Sequence, residues 1–323
     1  YTKSNILIFT ALILFLHMFN NLSFRFLILF ICCQSSHILN AQEQVNNSNV
    51  EHNDSLHTKY YTRLSTGITT PIYRDFATSP LFFSGIGLNL STAWLKHSDS
   101  RERIFQLEMG GAVMSPNTPE SDFIQTGGLS FFGQFNAFYQ QLWKLDALSN
   151  TQNNIKVGGA LVTTQNIRIN GALVNNLLGL ESIYNLMASA QITRDISRKK
   201  EKEINLLLFK PVLKPVKRDL RFLFNVGVLN VNHRPGYTYT YNSEMNGTET
   251  GPAAWTYYNY QWALNGWRLQ TQLEYIKHLP NGNARSWSYV WRAAHVPGRH
   301  EAFQMASHQI QFTLFFNSKK RKS

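Results

Sequence analysis

The chain is poor in cysteine, in charge and in long hydrophobic runs. Its two cysteines, Cys32 and Cys33, are neighbours, so the sequence offers no disulfide framework and no cysteine metal site. Charged residues make up 15% of the 323 residues, against roughly 25% in an average soluble domain. Aromatic residues reach 13%. Low charge together with many aromatic residues excludes a disordered chain and a charged coiled coil.

The continuous hydrophobicity lies before residue 34, in two runs separated by Arg25. Neither run reaches the ~20 residues of a membrane-spanning helix. From Met18 onward the segment has a basic region ending at Arg25, an apolar centre and a polar end, which is the layout of a secretory signal peptide. We therefore expect residues 1–41 to be an upstream extension plus a signal peptide starting at Met18 and cleaved after Ala41. A retained anchor is the alternative.

Alternation of apolar and polar residues dominates the chain after the signal segment, in stretches of roughly 10–15 residues. In the clearest stretch, 182–193, Tyr184 and Leu186 share one face, while Asn185 and Ser189 share the other. Turn sequences such as Asn-Gly at 265–266 separate the stretches and are typical of two-residue hairpins. The pattern predicts about twelve strands, at 60–69, 83–96, 104–113, 129–145, 155–168, 182–193, 204–212, 221–231, 253–263, 267–279, 284–295 and 308–316.

The length and polarity of these strands favour a membrane barrel over a secreted sandwich. Sandwich strands average about 5–6 residues, whereas strands that cross a membrane need ~9–11, apolar toward lipid and polar toward the lumen. The polar faces here are rich in Gln, Asn, Ser and Thr. Aromatic residues on the apolar faces fit the girdles of such barrels, namely Trp143, Trp267, Tyr275, Trp287, Tyr289 and Trp291. We predict an all-β fold, a closed antiparallel transmembrane β-barrel of about twelve strands.

The chain resembles outer-membrane β-barrel proteins of Gram-negative bacteria, in particular the Bacteroidota type. The resemblance rests on the signal junction at 39–42, on the long alternating strands, and on the closing strand 308–316, which looks like the C-terminal signal read by the barrel assembly machinery. Many such barrels end on an aromatic residue, whereas this chain continues with a basic tail. The resemblance implies location in the cell outer membrane and the assembly machinery as a partner during biogenesis.

The predicted organisation has four parts. Residues 1–41 are the extension and signal peptide, 42–57 form a polar, asparagine-rich leader, 58–317 form the barrel, and 318–323 form the basic tail. The whole chain carries a formal charge of +12, which falls to +10 without residues 1–41. An exposed basic tail on an exported chain predicts contact with anionic lipid headgroups rather than with nucleic acid.

No catalytic motif is present in the sequence: it has no Gly-x-Ser-x-Gly elbow, no zinc-binding His-Glu-x-x-His and no phosphate-binding loop. We expect no cofactor and no metal. Ser307 and His308 are adjacent and so point to opposite faces of a strand, which prevents a direct dyad. His233, His295 and His300 are expected at the rim of the barrel. A lipid-modifying enzyme, of the lipid A deacylase or phospholipase type, remains the alternative function.

Charged residues on the predicted luminal face form the candidate site. Charge inside a membrane protein is costly unless it faces water or is paired. The predicted network comprises Arg63, Glu108, Arg221, Arg268, Glu274 and Arg292. Two interpretations stay open: a small-solute, porin-like pore with a preference for anions, and a lumen braced by Arg–Glu pairs. The expected role is a pore or a structural or interaction component, with outer-membrane lipids and an envelope protein as partners.

Overall fold

The computed structural model describes residues 58–117, 128–171, 178–203, 212–235, 260–298 and 301–318. These residues are almost entirely β-strand, with a 3-10 helix at Asp146–Leu148. No helix among them is long and apolar enough to cross a membrane. The strands are β1 (Lys59–Asp75), β2 (Ser79–His97), β3 (Arg101–Pro116), β4 (Ser130–Lys144), β5 (Asn153–Asn170), β6 (Leu178–Asp195), β7 (Lys202–Glu203), β8 (Val212–Leu213), β9 (Arg218–Pro235), β10 (Tyr260–Leu264), β11 (Trp267–His278), β12 (Ala284–Val296) and β13 (Phe303–Asn317).

Ten of the described strands close into a ring. The order around the ring is β1-β2-β3-β4-β5-β6-β9-β11-β12-β13, and every neighbouring pair is antiparallel. The first and last strands pair from Tyr61 opposite Asn317 to Asp75 opposite Phe303. Closure pairs the backbone groups that an open sheet would leave at its edges. The predicted closed antiparallel barrel is thus confirmed, but the described ring has ten strands rather than about twelve.

Two predicted strands account for the difference. The stretch 204–212 lies outside the described residues except for Val212, which begins β8. The stretch 253–263 is described only from Tyr260, as β10. This short strand is not one of the ten members of the ring: it pairs with the end of β9, from Tyr260 opposite Pro235 to Leu264 opposite Val231, in the register that β11 continues. It therefore adds no member to the closed sheet.

The Asn265-Gly266 pair explains why the hairpin prediction at this point was wrong. A hairpin would set β10 beside β11, yet both pair with β9: Leu264 lies opposite Val231 and Leu269 opposite Val226. The pair is therefore a break between two strands that follow each other along β9. Gly266 has a positive φ of 88°, and side chains of β9 serve the break, since Asn230 Nδ2 donates to the Gly266 carbonyl at 3.0 Å.

The barrel has two rims that are named here by the chain ends. At the terminal rim β1 begins and β13 ends, because an even number of antiparallel strands returns the chain to its starting side. The distal rim is the opposite end. Among the connections that the structure describes in full, 98–100, 145–152 and 279–283 lie at the terminal rim and 76–78 lies at the distal rim.

Side chains alternate between the two faces of the sheet, as strand geometry requires. In β12, for example, Ser286, Ser288 and Val290 are buried while Trp287 and Tyr289 are exposed. The buried face lines the lumen and the exposed face is the exterior. Each of the ten ring strands presents a large apolar side chain to the exterior, the set being Ile68, Leu88, Met109, Phe131, Leu161, Leu186, Phe224, Leu273, Trp287 and Ile310.

Candidate functional site

All six residues of the predicted network are buried in the lumen. They come from five ring strands and line one internal cavity of about 40 Å³ together with Gln, Asn and Ser side chains. The six residues are Arg63 on β1, Glu108 on β3, Arg221 on β9, Arg268 and Glu274 on β11, and Arg292 on β12. Alternation brings each of them inward, and closure of the ring then brings them together.

A first charge cluster lies toward the terminal rim. Arg63 Nη2 donates to Glu274 Oε1 at 3.0 Å, and Ser286 Oγ donates to the same oxygen at 2.6 Å. Arg221 lies between two carboxylates, 3.4 Å from Glu102 Oε1 and 3.5 Å from Glu274 Oε2. Arg63–Glu274 and Arg221–Glu102 join strands that are not neighbours in the sheet, so these two pairs cross the lumen, whereas Arg221 and Glu274 lie opposite each other on the neighbouring strands β9 and β11. The cluster brings together three of the predicted residues.

Lys156 extends this cluster and was not predicted as a site residue. Its Nζ donates to the Ser98 carbonyl at 2.7 Å and lies 3.9 Å from Glu102 Oε2. His97 Nδ1 lies 2.7 Å from the same carboxylate oxygen. Glu102 therefore binds partners from three separate parts of the ring.

A central group holds the other three predicted residues. Arg292 makes a two-pronged pair with Glu108, one bond from Nη1 to Oε1 and one of 2.8 Å from Nη2 to Oε2. Such planar, bidentate pairs are the strongest ion pairs that Arg forms. Arg268 instead donates through Nη1 to Thr164 Oγ1 at 2.7 Å and to Asn185 Oδ1 at 3.0 Å. The central group thus spans the lumen from β3 and β5 to β11 and β12.

A third charge cluster, near the distal rim, is one that the sequence interpretation missed. Asp75 accepts from Arg168 Nη2 at 2.6 Å and from Arg234 Nη2 at 2.9 Å. Glu181 binds Arg168 from the other side. Arg234 also donates to the Val296 carbonyl at 2.8 Å. All four charged residues lie at or just outside the ends of predicted strands. Arg168 is the last residue of 155–168, and Glu181 comes one residue before 182–193. Asp75 and Arg234 come six and three residues after the strands 60–69 and 221–231.

The missed residues carry the same signal as the predicted ones. If the alternation of 60–69 is extended along β1, Asp75 falls on the same face as Arg63. If the alternation of 182–193 is extended back by one residue, Glu181 falls on the same face as Asn185. Pro71 follows the predicted strand 60–69 by two residues, and proline is disfavoured inside a sheet. In the structure β1 continues through Pro71, which lies opposite Ser307 of β13.

Apolar clusters accompany the charge clusters near both rims. The distal apolar cluster comprises Tyr73, Phe83, Ala112, Met114, Phe132, Ile183, Ala294, Val296 and Phe303. The terminal apolar cluster comprises Tyr61, Ala93, Leu95, Ile104, Ile276, Ala284 and Phe315. Charges pack on these rings: the Arg168 guanidinium lies 5.1 Å from the Phe303 centroid, and that of Arg63 lies 4.6 Å from the Phe315 centroid. Both ends of the lumen are therefore filled by side chains.

The central group divides the remaining space. Besides the cavity of about 40 Å³, the lumen holds a second cavity of about 30 Å³ on the distal side. Glu108, Arg268 and Arg292 line both cavities and so form the partition between them. One water needs roughly 10–15 Å³ of such volume. Each cavity therefore has room for a few waters.

The histidines are placed in structural contacts. His233 stacks on Trp262 with ring centroids 4.6 Å apart, and His295 Nδ1 lies 3.3 Å from Gln304 Nε2. His300 lies outside the described residues. On the exterior, Tyr289 Oη lies 2.6 Å from His308 Nδ1, a bond that pairs two polar groups in an apolar surrounding. Ser307 points to the other face of β13, as predicted.

The exterior has the surface of a membrane-spanning barrel. Its apolar side chains are exposed on all ten ring strands; Leu88, for instance, is 65% exposed and Ile310 60%. Soluble monomers do not expose contiguous apolar patches of this extent. All six predicted girdle aromatics lie on this face. Trp94, Phe105, Trp143, Tyr275 and Trp287, here termed the terminal girdle, lie toward the terminal rim.

Comparison with known proteins gives distant structural similarity alone. No protein-family model and no curated protein matches the chain. The translocator domain of the autotransporter NalP from Neisseria meningitidis is 7% identical, with a TM-score of 0.32 over 88% of this chain and 95% of that one. An outer membrane channel from Pseudomonas putida F1 is 8% identical, with a TM-score of 0.30 over 84% and 100%. The P. putida toluene transporter TodX is 8% identical, with a TM-score of 0.28 over 83% and 91%.

Strand number and function do not transfer at such distances, so the assignment rests on the geometry of this chain. A closed antiparallel ring, an apolar exterior and a polar interior satisfy the requirement that no backbone group be left unpaired in hydrocarbon. These features together define outer-membrane-type barrels. The chain thus has the fold of an outer-membrane-type β-barrel, as the sequence predicted.

Proposed function

We propose that this protein is a sealed, non-conducting barrel that serves as a structural or interaction component of the outer membrane. The observation that carries the proposal is the filled lumen. Three sets of ion pairs cross it, apolar clusters occupy both ends, and Glu108 and Arg292 separate the two cavities between them. Of the two interpretations left open by the sequence, bracing fits this arrangement.

The energetic role of the crossing pairs supports the same proposal. A buried ion that loses its partner costs about 3–5 kcal/mol, so opening a path through the lumen would require several such pairs to separate together. Pairs between non-neighbouring strands also fix the cross-section of the ring. The luminal charges therefore hold the barrel shut, whereas in a pore they would line an open, hydrated path.

Single-channel recording tests this proposal. Purified protein inserted in planar lipid bilayers is expected to give no stepwise conductance, whereas a reference porin conducts under the same conditions. Folding of the barrel is verified by faster migration of unheated protein on a detergent gel. The matched variant Glu108→Ser/Arg292→Ser/Phe303→Ser removes two of the three partition residues and one residue of the distal apolar cluster, and we expect it to conduct. Regular conductance steps from the unaltered protein would contradict the proposal.

Two further parts of the proposal concern partners and lineage. We infer contact with outer-membrane lipids and with an envelope protein, and assembly by the barrel machinery, on the basis of the apolar exterior and the closing strand β13. The Bacteroidota affinity rests on the sequence at 39–42 and 308–316.

A lipid-modifying activity has no hydrogen-bonded Ser–His pair to support it within the described residues. Mass spectrometry of lipids incubated with the protein is expected to show them unchanged.

A further inference from the structure

A band of basic side chains surrounds the exterior of the barrel at the terminal rim. Along each strand, every second side chain faces the lumen, and these basic residues occupy the positions in between, so their side chains point outward. The band, here called the collar, comprises Lys96, Arg101, Arg103, Arg194, Arg218, Lys277 and Arg285. It draws on six of the ten ring strands: β2, β3, β6, β9, β11 and β12.

The collar contains like charges placed directly opposite each other. Lys96 of β2 lies opposite Arg103 of β3. Lys277 of β11 lies opposite Arg218 of β9 on one side and Arg285 of β12 on the other. Directly opposite side chains have Cβ atoms about 4.5–5.5 Å apart, and like charges in that arrangement destabilise a sheet. Such pairs need a negative partner.

The described residues do not supply that partner. Within the described ranges, none of the seven collar residues forms an ion pair with a carboxylate. Two acidic residues of the same rim are bound elsewhere: Asp99 accepts from Lys144 and Asn154, and Asp219 lies 2.6 Å from His278 Nε2. The counter-charge must therefore come from outside the described residues.

The position of the collar identifies the source. Lys96, Arg103, Lys277 and Arg285 each lie two residues from a terminal-girdle aromatic on the same strand face, in turn Trp94, Phe105, Tyr275 and Trp287. Two residues along a strand span about 6.6 Å. Arg101 lies opposite Trp143, its guanidinium 5.8 Å from the ring centroid. Girdle aromatics lie at the level of lipid headgroups, so the collar lies one step farther out, at the lipid phosphates.

The distal rim shows that this is not a general property of the surface. Among the described outward positions toward that rim, Arg74 is the one Lys or Arg, and its guanidinium packs on Phe76 and Phe82 at 4.0 Å and 4.9 Å from the ring centroids. We propose that the collar is a binding site for the phosphates of anionic glycerophospholipids in the leaflet at the terminal rim. The inference uses the proposed function only in that the barrel spans a membrane.

Tryptophan quenching measures the interaction. The full chain is reconstituted in phosphatidylcholine vesicles that contain increasing fractions of brominated phosphatidylglycerol or of brominated phosphatidylcholine. Trp94, Trp143 and Trp287 lie next to the collar and report lipids bound there. We expect half-maximal quenching at about a fivefold lower fraction of phosphatidylglycerol, as ~1 kcal/mol per basic residue near a surface allows. High salt should reduce the preference.

Matched variants isolate the collar. The variant Lys96→Gln/Arg103→Gln/Lys277→Gln/Arg285→Gln should lose the preference. The control Arg74→Gln/Lys199→Gln/Lys200→Gln/Lys214→Gln, which removes four charges outside the collar, should retain it. If the first variant forms no barrel, Lys96→Gln/Arg103→Gln and Lys277→Gln/Arg285→Gln are compared separately, each with an expected partial loss.

Several outcomes would overturn the inference. They are equal quenching by the two brominated lipids, equal loss in collar and control variants, displacement of phosphatidylglycerol by inorganic phosphate at constant ionic strength, and a stronger preference for lipid A than for phosphatidylglycerol. Heat-dependent gel migration and single-channel recording are followed in parallel. A conducting barrel with an intact preference contradicts the proposed function alone, and a silent barrel without preference contradicts the collar alone.

Discussion

Arg63 of β1 and Glu274 of β11 are joined across the lumen by a hydrogen bond of 3.0 Å, although β12 and β13 lie between their strands in the ring. The bond is a chord of the barrel cross-section, and Glu108–Arg292 and Asp75–Arg168 are chords of the same kind. Such contacts across the lumen fix the shape of the ring. Hydrogen bonds between neighbouring strands alone would leave the ring free to flatten. The first prediction concerns this pair.

Removing one charge of the pair should destabilise the barrel strongly. In Glu274→Gln the buried Arg63 and Arg221 both lose a carboxylate, and we expect a loss of about 3–5 kcal/mol in the free energy of unfolding. The variant Arg63→Met/Glu274→Met leaves a smaller number of unpaired charges and should lose less than the single variant. Urea unfolding in lipid vesicles, followed by tryptophan fluorescence, measures both. Asp146→Asn, an exposed carboxylate, is the control, and an equal effect there would contradict the prediction.

The distal apolar cluster should be sensitive to cavity formation. Phe303 is fully buried against Tyr73 and the Arg168 and Arg234 guanidinium groups. Phe303→Ala should cost about 3–5 kcal/mol of unfolding free energy, as large-to-small changes in packed sites do. Phe316→Ala, on the exterior of β13, removes the same atoms from a side chain that is 43% exposed. We expect the lower thermal midpoint, measured by gel migration after heating, for Phe303→Ala.

A charge on the exterior should distinguish a surface in lipid from one in water. Leu88 lies at the middle of β2 and is 65% exposed, while Leu148, in the 3-10 turn at the terminal rim, is 60% exposed. Leu88→Arg should cost about 2–4 kcal/mol because its side chain faces hydrocarbon. Leu148→Arg should change stability by less than about 0.5 kcal/mol, as surface substitutions do. Equal, small effects at both sites in vesicle unfolding experiments would contradict a lipid-facing β2.

The terminal rim should show a small acid-dependent loss of stability at Asp99. The hydrogen bond from Lys144 Nζ, 2.7 Å long, lowers the pKa of the Asp99 carboxyl. A lowered pKa in the folded state means that the carboxylate stabilises the protein above the ordinary Asp pKa of about 4. This contribution is lost as the pH falls through the lower, folded-state value.

Solvent limits the size of that effect. The Asp99 side chain is 70% exposed, so we expect less than about 1 kcal/mol, reduced further by salt. Unfolding free energies of the unaltered protein and of Asp99→Asn, compared at pH 7 and pH 3, check the prediction. The difference between the two proteins should be present at pH 7 and absent at pH 3. A difference that persists in acid would assign the effect to Asn154 or to the turn itself.

Much of the fold could be predicted because each strand displays its two environments in alternate residues. Each of the ten ring strands coincides with a predicted strand. The six predicted luminal residues lie together because an odd or even position along a strand decides which face of the sheet a side chain occupies. Strand ends were predicted less well. Asp75 and Arg234 face the lumen near the distal rim. There the alternation of apolar and polar residues is weaker, and polar residues predict a loop.

Strand number and luminal contents could not be predicted in the same way. Asn265-Gly266 has the composition of a hairpin turn, and its use as a break depends on Asn230 and Asn232 of β9, which are distant in the sequence. Whether inward charges face water or each other depends on the width of the ring, which no local pattern contains. The pairing of Glu108 with Arg292 is therefore a property of closure.

The pairing of β1 with β13 has a topological consequence. Once Tyr61 lies opposite Asn317, the seam between the chain ends is an antiparallel ladder like the other nine, and the ring has no first or last member. Because β1 begins and β13 ends at the same rim, a short peptide could join these two strands and the ring could be reopened at the turn that contains Gly282, which lies at that rim. The order of the strands along the chain can therefore be changed while their order around the ring stays the same.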